Sequence, residues 1–200
     1  MNLVIEMLID NVKTLAELDS VMDLVFSVFP YLPTDDNKYS LSFWAGKMNE
    51  LPELLLYAKD GEVICGSVFA WVDNGGVTVA HCCVAPAYRG QGIGRDLMLE
   101  IERRVKALGY HSIALGSVEG AERFYEKLGY KGSLLIQSED HSIDQLLSLN
   151  DKYEVIYTNV YEGTVNQVCL RLSSPDRELQ RLYEKTFPSC TTQMVFGKSF

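Results

Sequence analysis

Residues 84–105, VAPAYRGQGIGRDLMLEIERRV, decide how this chain is read. Gly90, Gly92 and Gly94 alternate immediately after an apolar run and immediately before a segment with helical spacing. In that segment Leu97, Met98, Ile101, Val105 and Leu108 form one stripe, and Gly109 stands at the expected stop. Glycines at such a junction allow a tight strand-to-helix turn and let backbone come close to a neighbour. Spacing excludes two nucleotide-binding loops. A P-loop needs Lys followed by Ser or Thr after its last glycine, whereas Arg95 and Asp96 follow Gly94; a G-x-G-x-x-G fingerprint fails in both registers, at Arg95 and at Leu97. What remains is a bare helix N-terminus, whose first N–H groups lack intrahelical acceptors at the positive end of the helix dipole. Such an end takes a phosphate or pyrophosphate.

Working outward, the turn is preceded by three strand-like runs, 54–59, 62–73 and 77–84, separated by Asp60-Gly61 and by Asn74-Gly75-Gly76, which predicts an antiparallel meander. Upstream lie a short apolar run at 3–9, a helix opening at Thr14 with Glu17 in capping-box position, and a second short helix at 41–50. Downstream, strand 111–115, helix 119–128 and strand 133–137 predict parallel pairing with crossover connections. Residues 138–152 are polar, with a short helix expected among them. A hairpin around Glu162-Gly163, a capped helix with Pro175 at its first position and a closing strand at 191–200 make a small ββαβ unit.

Two hundred residues suit one well-cored domain with a modest appendage. The formal net charge is −9, and Lys and Arg form no run that could track a phosphate backbone, so no nucleic-acid partner is expected. The acidic surplus lies wholly in residues 1–150, which carry 12 basic and 21 acidic residues. Such a surface attracts cationic small molecules or basic segments, or serves solubility alone. Five cysteines, without a C-x-x-C pair, read as reduced core thiols, with neither a disulfide frame nor a metal site. The opening residues MNLVIEMLIDN lack a basic n-region and no apolar run reaches membrane-span length, so a soluble, cytoplasmic protein with no membrane partner is expected.

Arg89-x-x-Gly92-x-Gly94, with VAPAYRG before it and RDLMLEIERRV after it, resembles the acyl-CoA signature of the GNAT superfamily of N-acetyltransferases. AERFYEKLGY, one strand further on, is similar to that superfamily's second motif, and the resemblance covers roughly residues 3–137. It implies that Arg89, Gly90, Gln91, Gly92, Ile93 and Gly94 hold the pyrophosphate of acetyl-CoA, mainly through N–H groups. It also implies that the preceding strand bulges, so that Cys83 and Val84 meet the acetyl carbonyl as a modest oxyanion hole. Tyr125 matches the tyrosine that protonates the departing thiolate, although its place beside Phe124 equally suits a core tyrosine. Val118 stands where the family often carries Asn. No base is certain. His81 and Glu119 are the two readings, against a satisfied core histidine and a helix N-terminal charge. Cys82 and Cys83 read as inert thiols. The acceptor side is expected in loop 30–44, with Asp35, Asp36, Tyr39, Phe43 and Trp44 suited to a cation.

The expectation is thus a mixed α/β (α+β) GNAT-like sheet, with residues 1–138 as the acyltransferase domain. Residues 139–200 form a linker and ββαβ subdomain that supplies either a strand to the core or an oligomer interface, a homodimer included. Acetyl-CoA is the expected acyl donor, no metal is required, and the acceptor is a small-molecule amine or a peptide or protein amine. The alternative is a non-catalytic acyl-CoA sensor or interaction protein on the same fold.

Overall fold

The computed structural model describes residues 7–32, 37–73 and 75–200. The chain folds as two compact units, 1–113 with Phe200, and 114–199. Its class is the mixed α/β one expected, an antiparallel meander followed by strands that alternate with helices.

In the first unit the strands are β1 (Met7–Asn11), β2 (Leu55–Asp60), β3 (Val63–Asp73) and β4 (Gly76–Val84), adjacent in that order and antiparallel throughout. Of the strand expected at 3–9, residues 1–6 lie outside the described residues, and β1 continues to Asn11. Helix α1 (Leu15–Val28) opens with the expected capping box: the Thr14 side chain accepts from Glu17 N–H, and the Glu17 carboxylate accepts from Thr14 N–H at 3.0 Å. The same carboxylate accepts from the Tyr57 hydroxyl of β2 at 3.2 Å, tying the cap to the sheet.

Cross-strand partners share a face, so the register sorts the sheet. Ser67, Phe69 and Trp71 of β3 lie opposite Cys83, His81 and Thr78 of β4, while Val68, Ala70 and Val72 lie opposite Cys82, Val79 and Val77. His81 and Val79 have partners on opposite faces because the register slips between Phe69 and Ala70, a β-bulge at Ala80. On the Phe69 face pack α1 and α2 (Leu41–Glu50), whose Trp44 ring sits 5.0 Å from Phe69. On the other face packs α3 (Ile93–Ala107), burying Ile93, Leu97, Met98, Ile101 and Val105. No helix among the described residues is long and apolar enough to cross a membrane.

β5 (Ser112–Ser117) spans the junction of the two units. The second unit continues with α4 (Glu122–Lys127), β6 (Lys131–Ser138), α5 (Ile143–Leu147), β7 (Val155–Tyr161), β8 (Val165–Arg171), α6 (Arg177–Thr186) and β9 (Thr191–Ser199). Three local expectations change. Strands β5 and β6 are not neighbours: the order is β5-β9-β6-β8-β7, with β9 antiparallel to β6, so a distant C-terminal strand takes the place expected for the local crossover partner. Helix α4 starts three residues late, because Gly120 (φ +88°) turns the chain before it. Pro175 lies just outside α6, whose cap is Asp176, accepting from Leu179 N–H at 2.9 Å. The hairpin β7–β8 turns at Glu162 and Gly163, both at positive φ, where the sequence placed it.

Candidate functional site

The glycine turn begins where β4 ends. A 3-10 turn at Pro86–Tyr88 follows, and the Arg89 Nε–H donates back to the Val84 carbonyl at 3.2 Å, closing the loop on the strand that precedes it. Gly90 (φ +79°) and Gly92 (φ +89°) both occupy left-handed backbone, which accounts for two of the three glycines. Gly92 is the N-cap of α3 and supplies no side-chain cap, unlike Thr14, Ser40, Ser142 and Asp176 at the starts of α1, α2, α5 and α6. Intrahelical bonding begins with Asp96 N–H donating to Gly92 O at 3.0 Å. The amides of Ile93, Gly94 and Arg95 therefore precede the ladder, aimed out of the helix at its positive end.

What brings α3 against the sheet is a glycine that sequence reasoning passed over. A Cβ on Gly66 of β3 would lie 3.0 Å from Leu97 Cδ1, 3.1 Å from Ile93 Cγ2 and 3.1 Å from the Cys83 carbonyl. The missing side chain lets the first turn of α3 settle on the β3–β4 pair. A lone Gly in an otherwise apolar strand, EVICGSVFAW, is the signal that could have revealed it.

Cys83 is buried, its Sγ 3.3 Å from Ser67 Oγ, and burial pushes the thiol upward in pKa. Cys82 faces α3, with Sγ 4.0 Å from the Gly94 carbonyl, and its pKa is likewise raised by burial. All five cysteines are free, and neither of these two is poised as a thiolate.

His81 is 8% exposed, 4.7 Å from the Phe69 ring and 6.3 Å from Trp44, with Nε2 3.0 Å from Ser67 Oγ. Burial lowers its pKa to about 3, which keeps the ring neutral at physiological pH and makes it a weak proton acceptor. The base reading of His81 therefore meets a core histidine. Trp44, expected to face a cation, is 1% exposed and belongs to the same aromatic core; Phe43 is held by Trp44 and Trp71 and carries the Lys47 ammonium 5.6 Å above its ring. Tyr39 is half-buried in a 3-10 turn, Asn37–Tyr39. Asp35 and Asp36 lie outside the described residues.

In the second unit, Tyr125 is 7% exposed on α4, its ring 5.0 Å from Phe124, 6.0 Å from Tyr130 and 5.8 Å from Phe196. Glu119 and Val118 are exposed in the turn before α4. The buried carboxylate there is Glu122, three residues on, which accepts from Gly120 N–H at 2.7 Å and pairs with the Arg177 guanidinium of α6. Sequence reasoning missed this pair because nothing local links residue 122 to residue 177.

A glycine-turned, uncapped helix N-terminus follows a bulged strand on a mixed sheet, the arrangement that the resemblance implied. Residues 52–132 match the family described as Acetyltransferase (GNAT) domain. An acetyltransferase of Sodalis glossinidius (SG1711) is 29% identical over 106 residues, 48% of this chain and 75% of that protein. Glucosamine 6-phosphate N-acetyltransferase of Trypanosoma brucei brucei is 37% identical over 61 residues, 29% of this chain and 42% of that enzyme, so the chain spans less than half of that relative. Among solved structures, Arabidopsis thaliana Naa50, in complex with the bisubstrate analogue CoA-Ac-MVNAL, shares the fold with a TM-score of 0.55 at 18% identity, covering 97% of this chain and 99% of that one. Over residues 52–132 the chain is thus similar to the GNAT acetyltransferase domain, and its fold is that of GNAT acetyltransferase structures.

Proposed function

We propose that the chain transfers an acetyl group from acetyl-CoA to a primary amine by direct attack. The reading is supported above all by the uncapped N-terminus of α3 behind two left-handed glycines. In it the amides from Gly90 to Gly94, with Arg89, bind the pyrophosphate through backbone dipoles, each favourable placement contributing roughly 0.3–1 kcal/mol. Successive amides of a strand point to opposite sides, so one of Cys83 and Val84 donates away from β3, toward the acetyl carbonyl. The amine nitrogen forms the new bond to the carbonyl carbon, the C–S bond breaks, and the Tyr125 hydroxyl gives its proton to the departing thiolate; the nitrogen of the adduct loses its proton to solvent, from which the Tyr125 phenolate is reprotonated.

The attacking amine must be neutral. For a lysine-like acceptor with a pKa near ~10.4 this costs roughly 4–5 kcal/mol at pH 7, and for an α-amino group near ~8 only about 1 kcal/mol. Since His81 is a weak acceptor of protons, this difference favours an acceptor of lower pKa or one desolvated by its own pocket. Peptide amines and an amino sugar phosphate, named for the Naa50 complex and the Trypanosoma enzyme, define the two acceptor classes to try first.

The test is release of CoA thiol from acetyl-CoA across a panel of peptide N-termini, lysine-containing peptides, polyamines and amino sugars. Saturable, amine-dependent release supports transfer. Tight acetyl-CoA binding with no release above the buffer rate for any amine would replace transfer by sensing.

A further inference from the structure

The second unit carries an open groove of about 500 Å³ whose lining is cationic in a chain where acids outnumber bases by 27 to 18. Lys131, Arg171 and Lys198 line it together with Tyr157, Ser133 and Cys169, and no Asp or Glu does. Register explains the grouping. Lys131 lies opposite Gly197, Ser133 opposite Val195 and Arg171, and Cys169 opposite Tyr157, so these side chains share one face of β9-β6-β8-β7. The opposite face is the apolar one, with Leu134, Ile136, Val168, Leu170, Met194 and Phe196 buried. Gly197, directly across from Lys131, places no side chain in that cross-strand position.

The cations are held at different degrees of readiness. Lys198 is fixed, donating to the Leu128 carbonyl at 2.8 Å with the Tyr130 ring 5.4 Å away. Arg171 gives its Nε–H to Glu154 at 2.7 Å, an exposed pair that contributes little stability. Lys131 pairs with β9 through its backbone, and its side chain makes no hydrogen bond or ion pair among the described residues. The lining itself holds three cations and no carboxylate, Glu154 reaching Arg171 from outside it, and a bound anion relieves the repulsion among them while accepting charge-assisted hydrogen bonds.

We infer that this groove binds a small molecule carrying a compact anionic group, phosphate or carboxylate, with Lys131 and Arg171 as its ligands and Tyr157 against its body. The inference concerns the second unit alone and stands apart from the donor reading.

The experiment is titration of the full chain with inorganic phosphate, and separately with acetate, at constant ionic strength, following backbone amide resonances. Saturable shifts centred on Lys131, Gly132, Arg171 and Gly197 are expected, with phosphate or acetate as the better ligand naming the group. In Lys131→Glu/Arg171→Glu the affinity should fall at least roughly tenfold, and the milder Lys131→Gln should fall in between. Shifts that chloride reproduces at equal ionic strength, or binding unchanged in folded Lys131→Gln and in the double variant, would overturn the site. Gly92→Glu should retain the phosphate response, which keeps a failure here separate from failure of the donor site.

Discussion

At Tyr125 burial and chemistry lead to different measurements. A ring packed on Phe124, Tyr130 and Phe196 contributes to the core through its body, which phenylalanine preserves; the proton of its hydroxyl is lost. Tyr125→Phe should lower kcat by roughly 10²–10⁴ with little change in acetyl-CoA affinity. A variant with wild-type kcat would return Tyr125 to the core alone. His81 calls for the opposite test. With a folded pKa of about 3, below its ordinary value near ~6.5, the unfolded chain binds this proton first. Stability from this group is complete above pH ~6.5 and is lost as pH falls toward 3, by up to about 1.4 kcal/mol per pH unit. His81→Gln should flatten that part of the urea-midpoint profile and leave the pH dependence of kcat between 6 and 9 unchanged. A lost alkaline or acid limb in kcat would reinstate the histidine as a catalytic residue. The sequence made both residues visible and could not weigh them, because burial depends on Trp44 and Phe69, which no local spacing connects to His81.

Among the elements, the approach of α3 to the sheet rests on Gly66. A methyl group there meets the Cys83 carbonyl at 3.1 Å, and backbone cannot move aside as a flexible side chain can. Gly66→Ala should therefore cost about 1–3 kcal/mol in equilibrium unfolding and weaken acetyl-CoA binding, since the first turn of α3 must back away. Unchanged stability and affinity would show that the turn does not depend on this contact. Caps and turns were the most legible elements, because their chemistry is local: Thr14 with Glu17, the glycines before α3 and the Glu162-Gly163 hairpin are each decided within a few residues. Where one residue carried more than the pattern counted, boundaries moved, as when Gly120 delayed α4 and Asp176 became the cap of α6, leaving Pro175 outside the helix it was expected to begin.

At the scale of the molecule, strand existence and hairpin neighbours were readable, and the neighbours of strands β5 and β6 were not. Placing β9 between β5 and β6 requires a pairing 66 residues away in sequence, Lys131 with Gly197, and apolar alternation is the same whichever partner a strand finds. The glycine stretch escapes this limit because what was read from it, an uncapped helix start behind left-handed glycines, lies in its own backbone. Acetyl-CoA binding to this turn is the claim on which the rest depends, and calorimetric titration of wild type and Gly92→Glu with acetyl-CoA tests it most directly. The variant's own folded baseline allows for the cost of placing a side chain at φ +89°. Saturable one-to-one binding by wild type is expected, with affinity at least roughly a hundredfold weaker in a folded Gly92→Glu, where a carboxylate replaces open backbone at the proposed anion site. Equal affinity in the two proteins, or no binding by wild type, would contradict the claim.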